Sequence, residues 1–286
     1  MSFDRDRLLS LPPRVTHHRY TRRDTMLYAL GVGAGQQSDK DDLRFVYEEG
    51  LQTLPTMAVV LAYPGFWQKE PEYGIDWKRV LHAEQSVVFH APLPVEGEVR
   101  GELTIDHIVD KGADKGALLY STRKIFDAAT GTLLASVTQV SFLRGDGGCG
   151  GPSLPPRAPH QVPSSAADER AELATRPEQA LIYRLSGDYN PLHANPAVAA
   201  AAGLDRPILH GLCTYGIAGR ALLAALCGND PARLARLDCR FTAPVFPGDR
   251  LELALWRGAP GEASFQVRAP ERNALVLDNG FAEFTI

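Results

Sequence analysis

The stretch from Tyr183 to Leu226, YRLSGDYNPLHANPAVAAAAGLDRPILHGLCTYGIAGRALLAAL, constrains the chain more than any other. Asp188, Asn190 and His193 stand within six residues, on a backbone that cannot run as a plain helix. Pro191 pushes Asn190 out of the α region, and Gly187 supplies a hinge before the acid. The segment therefore reads as a turn that aims polar groups. It is followed by Asn195 as a helix N-cap, Pro196 at the first helical position and a short helix closed by Gly203. Leu212, Tyr215, Ala218, Gly219, Leu222, Leu223 and Leu226 then recur at helical spacing, which predicts a longer helix beginning near Gly211. Its first turn would direct free N–H groups at whatever His210 and Gly211 face.

The 286 residues allow two domains or one large one. A net charge of −4 argues against a nucleic-acid partner, because phosphate contacts need a basic surface. No run of about 18 apolar residues is present, so no membrane span is expected. The charged start MSFDRDRLLSLPPR lacks a signal-peptide core, and Phe284-Thr285-Ile286 is not a Ser-Lys-Leu tail. These features set a cytoplasmic location as the expectation. Cys149, Cys213, Cys227 and Cys239 form no C-x-x-C pair, so reduced thiols are expected ahead of a structural zinc site.

Along the chain, residues 1–20 read as a polar surface segment. Thr21 to Asp24 is a capping box opening a short helix over Met26, Leu27 and Leu30, ended by Gly31, Gly33 and Gly35. That glycine run follows a helix and not a strand, which speaks against a dinucleotide loop. Leu43–Glu48 and Met57–Ala62 read as strands. From Val80 to about Gly145 four further strands with Gly-, Asp- and Pro-bearing turns imply an antiparallel sheet, one face of which needs the preceding helix against it. The glycine- and proline-rich residues 147–180 read as a linker. Strand candidates return at Leu237–Phe241, Asp249–Trp256, Glu262–Arg268 and Leu275–Phe284. Both halves thus read as a helix followed by strands, 1–146 and 181–286, an α+β unit duplicated.

An acid, an amide and an imidazole on one turn can hold a single water, and a carboxylate beside an imidazole suits proton transfer in both directions. Gly211 would let a ligand approach the backbone, where an N–H at a helix start stabilises a developing oxyanion. Singly, each residue has an ordinary structural explanation as a cap, a turn or packing; their combination points to chemistry.

Tyr183, Leu185, Ser186, Gly187, Asp188, Asn190, Pro191, Leu192 and His193 resemble the signature of the (R)-specific type 2 enoyl-CoA hydratases in the MaoC-like dehydratase family. DTMLYALGVGAG, DLRFVYEEG, LPTMAVV, VLHAEQ, VDKG, GGCGG, LHGLCTYG and RFTAPVFPGD extend the resemblance over most of the chain, in the order of the two-domain members. The resemblance implies a double hot-dog fold, two repeats of a helix wrapped by an antiparallel sheet. The first half would be non-catalytic and shaped around the acyl tail, with residues near Met57 to Trp67 setting the tunnel. It also implies that Asp188 and His193 form the catalytic pair, with Asn190 assisting, and that Gly211 is the oxyanion donor. His82, Ala83, Lys111 and Phe241 would line the CoA thioester, and Glu48 would be a supporting residue. Ala83 stands where the family usually has glycine, and Cys149 where it has an aromatic.

The implied reaction is reversible syn hydration of a trans-2-enoyl-CoA to the (R)-3-hydroxyacyl-CoA in fatty-acyl metabolism. It would need no cofactor and no metal, CoA being part of the substrate, and the protein would be a homodimer. A hot-dog acyl-CoA thioesterase and a non-catalytic acyl-CoA-binding module are the alternatives.

Overall fold

The computed structural model describes residues 3–36 and 40–286. Among these, ten strands form one sheet in the order β1-β3-β4-β5-β2-β7-β10-β9-β8-β6. In the first half these are β1 (Arg14–Tyr20), β2 (Val80–Phe89), β3 (Gly97–Asp110), β4 (Ala117–Asp127) and β5 (Leu133–Leu143). In the second they are β6 (Glu169–Ala174), β7 (Leu234–Phe241), β8 (Arg250–Arg257), β9 (Glu262–Ala269) and β10 (Ala274–Phe284). Every neighbouring pair is antiparallel. Read inward from each edge, the two halves have the same order, with β1, β3, β4, β5 and β2 matched by β6, β8, β9, β10 and β7. This repeat is the duplication expected from the sequence texture.

The halves join where β2 pairs with β7, from Glu84 opposite Arg240 to Val88 opposite Arg236. Side chains reinforce the seam. Arg240 Nη2 lies 2.5 Å from Glu84 Oε1, and Ser86 Oγ donates to Asp238 at 2.6 Å. Cross-strand pairs of this kind each add a few tenths of a kcal/mol to about 1 kcal/mol.

Six α-helices occur among the described residues: α1 (Arg5–Leu9), α2 (Arg22–Gly31), α3 (Lys40–Val46), α4 (Gln179–Tyr183), α5 (Pro196–Ala201) and α6 (Gly211–Cys227). The capping box at Thr21 and Asp24 opens α2, and the Asn195 side chain accepts from the Ala197 N–H to open α5, as their sequences predict. α6 buries Cys213 through Gly219 without interruption, together with Leu222, Leu223, Leu226 and Cys227. Seven consecutive buried residues span the helix circumference, which places this part of α6 inside a core. Gly228, at φ +60°, ends it in the left-handed conformation that glycine adopts without penalty.

Five expectations change. Residues 1–20 hold α1 and β1, and the 147–180 stretch is a linker only in part, because residues 169–174 are β6, paired along its length with β8. Leu43–Glu48 lies largely in α3, and Met57–Ala62 begins inside a 3-10 turn, Pro55–Val59, with Pro55 at its first position. Short apolar runs fit a buried strand or a buried helix equally well, and here helical turns won. The first sheet also does not wrap α2. That helix packs chiefly against α3, α4 and the Arg184–Ser186 turn, while the 55–59 turn sits on β2, β5 and α6.

α6 meets the first half through two glycines. A Cβ on Gly216 would lie 2.5 Å from Val32 Cγ1, and one on Gly219 would lie 2.5 Å from Thr56 Cγ2. In an exposed helix, Gly→Ala stabilises by about 1 kcal/mol. Here Gly216→Ala and Gly219→Ala should each destabilise by about 1–3 kcal/mol through overpacking, read by urea unfolding. A stabilised variant would show that the two halves are not in close contact there.

Candidate active site

Three segments converge on Asp188. α4 runs into the Arg184–Ser186 turn, which Gly187 ends at φ +119°. Asn190 then sits at φ −53°, ψ 123°, outside the α region as Pro191 requires. Its side-chain oxygen accepts from the Leu192 N–H at 3.1 Å, capping the Pro191–His193 turn. The Asp188 carboxylate accepts from the Asn190 N–H through one oxygen, at 3.1 Å, leaving the other for a ligand. Asn190 is exposed and positions His193 through this cap.

His193 is buried, and its Nδ1 lies 2.9 Å from the Ile208 carbonyl. A carbonyl can only accept, so Nδ1 carries the proton and Nε2 of the neutral ring keeps its lone pair. Burial lowers the His193 pKa, outweighing the opposite effects of the Ile208 bond and of Asp188. His210 stacks on it with ring centroids 3.7 Å apart, and donates from Nε2 to the Asp188 carbonyl at 3.1 Å. Its Nδ1 is buried without a partner. Burial, then the neighbouring His193, brings the His210 pKa down to about 4. One ligating atom each from Asp188, His193 and His210 falls within 4.8 Å of the others. That span suits a single bound water, and the same donor set could hold a metal ion.

Gly211 starts α6 immediately after His210, a member of the cluster, and the first N–H groups of a helix have no i−4 partner within it. A Cβ there would lie 3.2 Å from Phe241 Cε1. Phe241 packs edge-on against His82 with centroids 4.8 Å apart. In β2 the register slips between His82 and Glu84, so Ala83 is the extra residue of a bulge. His82 Nε2 donates to the Glu84 carbonyl at 3.2 Å, and burial takes its pKa to about 4, with Asp188 acting weakly in the other direction. Asp188, His193, Gly211, His82, Ala83 and Phe241 thus belong to one neighbourhood across the seam between halves.

Lys111 stands apart on an exposed turn, where its N–H donates to the Gly116 carbonyl. The preceding Asp110 accepts from the amides of Gly112, Gly148 and Gly150, tying the VDKG turn to the GGCGG stretch and lowering the Asp110 pKa. Glu48 is exposed beyond α3. Its carbonyl accepts from Arg22, and its carboxylate has no hydrogen bond or ion pair among the described residues. All four cysteines are free thiols.

Residues 160–278 match the MaoC like domain family, and residues 18–145 match the MFE-2 hydratase 2 N-terminal domain. The chain is 41% identical over 274 residues to 3-hydroxyacyl-thioester dehydratase Y of Mycobacterium tuberculosis, covering 93% of each. The chain belongs to the MaoC-like dehydratase family. It is also 36% identical over 296 residues to the peroxisomal enoyl-CoA hydratase 2 of Arabidopsis thaliana, covering 96% of this chain and 94% of that one. A crystal structure of a MaoC-like dehydratase from Phytophthora capsici superposes with a TM-score of 0.88 at 34% identity over 98% of both chains. The double hot-dog architecture is therefore the fold of this MaoC-like chain, with the 55–59 turn where the first repeat would carry a long helix.

The sequence did not single out His210, although it adjoins the helix-opening glycine, nor Tyr63, which the fold brings within electrostatic range of Asp188, nor Arg123, which lies against the Tyr63 ring. Tyr63 follows a loop of no clear period, and Arg123 lies on a strand whose alternation alone could have placed it inside.

The histidines make stability depend on pH. His82 and His210 stand at about 4 in the folded protein and His193 below its ordinary 6.5, whereas unfolding returns all three to that value. The unfolded chain then binds more protons below pH 6.5, so stability is full above that pH and is lost as pH falls toward about 4. Urea unfolding should give a lower free energy at pH 5.5 than at pH 7, with the difference reduced in His210→Gln. No pH dependence across that window would mean the rings are not held neutral by burial.

Proposed function

We propose that this protein catalyses the reversible syn hydration of trans-2-enoyl-CoA thioesters to (R)-3-hydroxyacyl-CoA. The observation that carries the reading is the pairing of a carboxylate oxygen and an unprotonated imidazole nitrogen at single-water span, beside the first turn of a helix. A water donating one hydrogen to Asp188 and the other to His193 Nε2 presents its lone pairs outward, toward C3. The forming C–O bond pushes electrons through C2 onto the thioester oxygen, where the Gly211 N–H stabilises the negative charge. The proton released by the water passes to one of the two acceptors and is delivered to C2 from the same side. Syn addition follows because both acceptors stand on one face of the substrate.

In this reading His82, Ala83 and Phe241 flank the thioester, and Lys111 meets the CoA portion. Asn190 supports His193. The thioester itself makes C3 electrophilic, so the reaction calls on no cofactor and no metal. The protein would act in acyl-CoA metabolism in the cytoplasm, and the edge strands β1 and β6 give it surfaces for a homodimer. No helix among the described residues is long and apolar enough to cross a membrane.

Loss of enoyl absorbance with crotonyl-CoA tests the reading. Asp188→Asn and His193→Gln should each lower kcat by about 10²–10⁴-fold while the circular dichroism stays native. Near-wild-type turnover in either variant would remove that residue from the mechanism, and release of free CoA without hydration would make the protein a thioesterase. Activity should survive EDTA; its loss, restored by a divalent cation, would place a metal on Asp188, His193 and His210.

A further inference from the structure

β4 alternates, turning Ala117, Leu119, Ser121, Arg123 and Ile125 inward. Four of these are apolar or small, and the fifth is a cation 5% exposed. Arg123 has no ion-pair partner among the described residues. Its Nη2 donates to the Val59 carbonyl at 2.8 Å and to the Ala58 carbonyl at 3.3 Å, and its Nε is buried with no partner. Burial lowers its pKa to about 10, which still leaves it charged at neutral pH. A buried cation held by two carbonyl dipoles and by the face of Tyr63, whose ring centroid lies 5.7 Å from the guanidinium carbon, still leaves Nε unpaired, and its missing complement is an anion.

Arg123 faces a cavity that Val59, Tyr63, Trp67, Gln85 and Leu212 also line. The cavity volume is about 20 Å³, room for about one water or, in its place, a small polar end group. Leu212 follows Gly211, so the cavity opens beside the first turn of α6. Tyr63 links the two places as well. Burial raises its pKa to about 12, with Asp188 adding to the rise and Arg123 opposing it.

The backbone is bent to make this arrangement. Ala62, fully buried and without glycine's freedom, adopts φ +49°, and its N–H donates to His18 Nδ1 at 3.0 Å. Gly101 clears the space beside it, where a Cβ would lie 2.8 Å from Ala62 Cβ and 3.2 Å from Arg123 Cδ. Strain of this sort persists where surrounding structure enforces it. Here it sets Tyr63 next to Arg123. An alkyl terminus entering the cavity would strip water from the guanidinium and return nothing. A carboxylate would take the orphan Nε–H and the Tyr63 hydroxyl as donors.

We propose that this cavity receives the far end of the acyl chain and selects short enoyl thioesters that terminate in a carboxylate, with Arg123 as the charge that recognises it. The proposal deepens the hydratase reading and rests on it for the position of the thioester.

The test compares kcat/KM for the mono-CoA thioester of trans-2-hexenedioic acid with that for trans-2-hexenoyl-CoA. Wild type should prefer the carboxylate by at least about tenfold, a difference of roughly 1.4 kcal/mol. Arg123→Met should bring the ratio to one or below, and Arg123→Lys should keep it above one. Because Arg123 also holds the 55–59 turn, Tyr63→Phe provides a second variant, with a severalfold smaller ratio. A wild-type ratio of one or less would overturn the proposal and leave Arg123 as a fastener of that turn. Hydration of neither substrate would instead sink the hydratase reading. Calorimetric binding of hexanedioyl-CoA against hexanoyl-CoA then reads the cavity alone, tighter binding of the first supporting the selection and equal binding refuting it.

Discussion

α6 buries every residue from Cys213 to Gly219, so along those two turns it must be covered on every side. Its own half supplies the curved sheet β6 to β10, and the first half supplies Val32, Tyr28 and Thr56 against Gly216 and Gly219. Neither half alone can complete that burial. The seam between β2 and β7 follows from it, and so does the place of the reaction. Phe241 at that seam lies between the start of the helix at Gly211 and His82 of the other half, and Asp188 acts on Tyr63 of that same half.

At that start, each polar group is committed by a second bond. His193 is oriented by the Ile208 carbonyl, His210 by the Asp188 carbonyl, and Asp188 by the Asn190 amide. These bonds leave Nε2 of His193 and one oxygen of Asp188 as free acceptors, together with the buried Nδ1 of His210. Burial holds the imidazoles neutral, and a neutral ring beside an anionic carboxylate is the combination that polarises water and returns its proton. The stacked His210 ring excludes solvent from one flank of His193.

Much of this was legible in the chain. Pro191 forces the bend at Asn190, Asn195 and Gly203 bracket α5, and the seven-residue apolar pattern from Leu212 announces α6. The eight long strands carry alternation that survives any context. What escaped were the edges. RVTHHRY and ERAELA carry charge at solvent-facing positions, as edge strands do to discourage further pairing, and so the first reads as a surface segment and the second as part of a linker. LRFVYE and MAVVLA were too short for their apolarity to distinguish helix from strand. In the site, D-x-N-P-x-H was visible because its members are local. The approach of Tyr63 to Asp188 depends on tertiary packing across more than a hundred residues, which no local pattern records.

The central claim is that one water is held from one side by Asp188 and His193 and gives up both its oxygen and its proton to that face of the substrate. Hydration of crotonyl-CoA in deuterium oxide, followed by NMR of the product, tests this most directly. The account predicts a single diastereomer, with the (R) configuration at C3 and deuterium at C2 added to the same face as the hydroxyl. Anti addition, or deuterium distributed over both C2 positions before the substrate equilibrates, would contradict it.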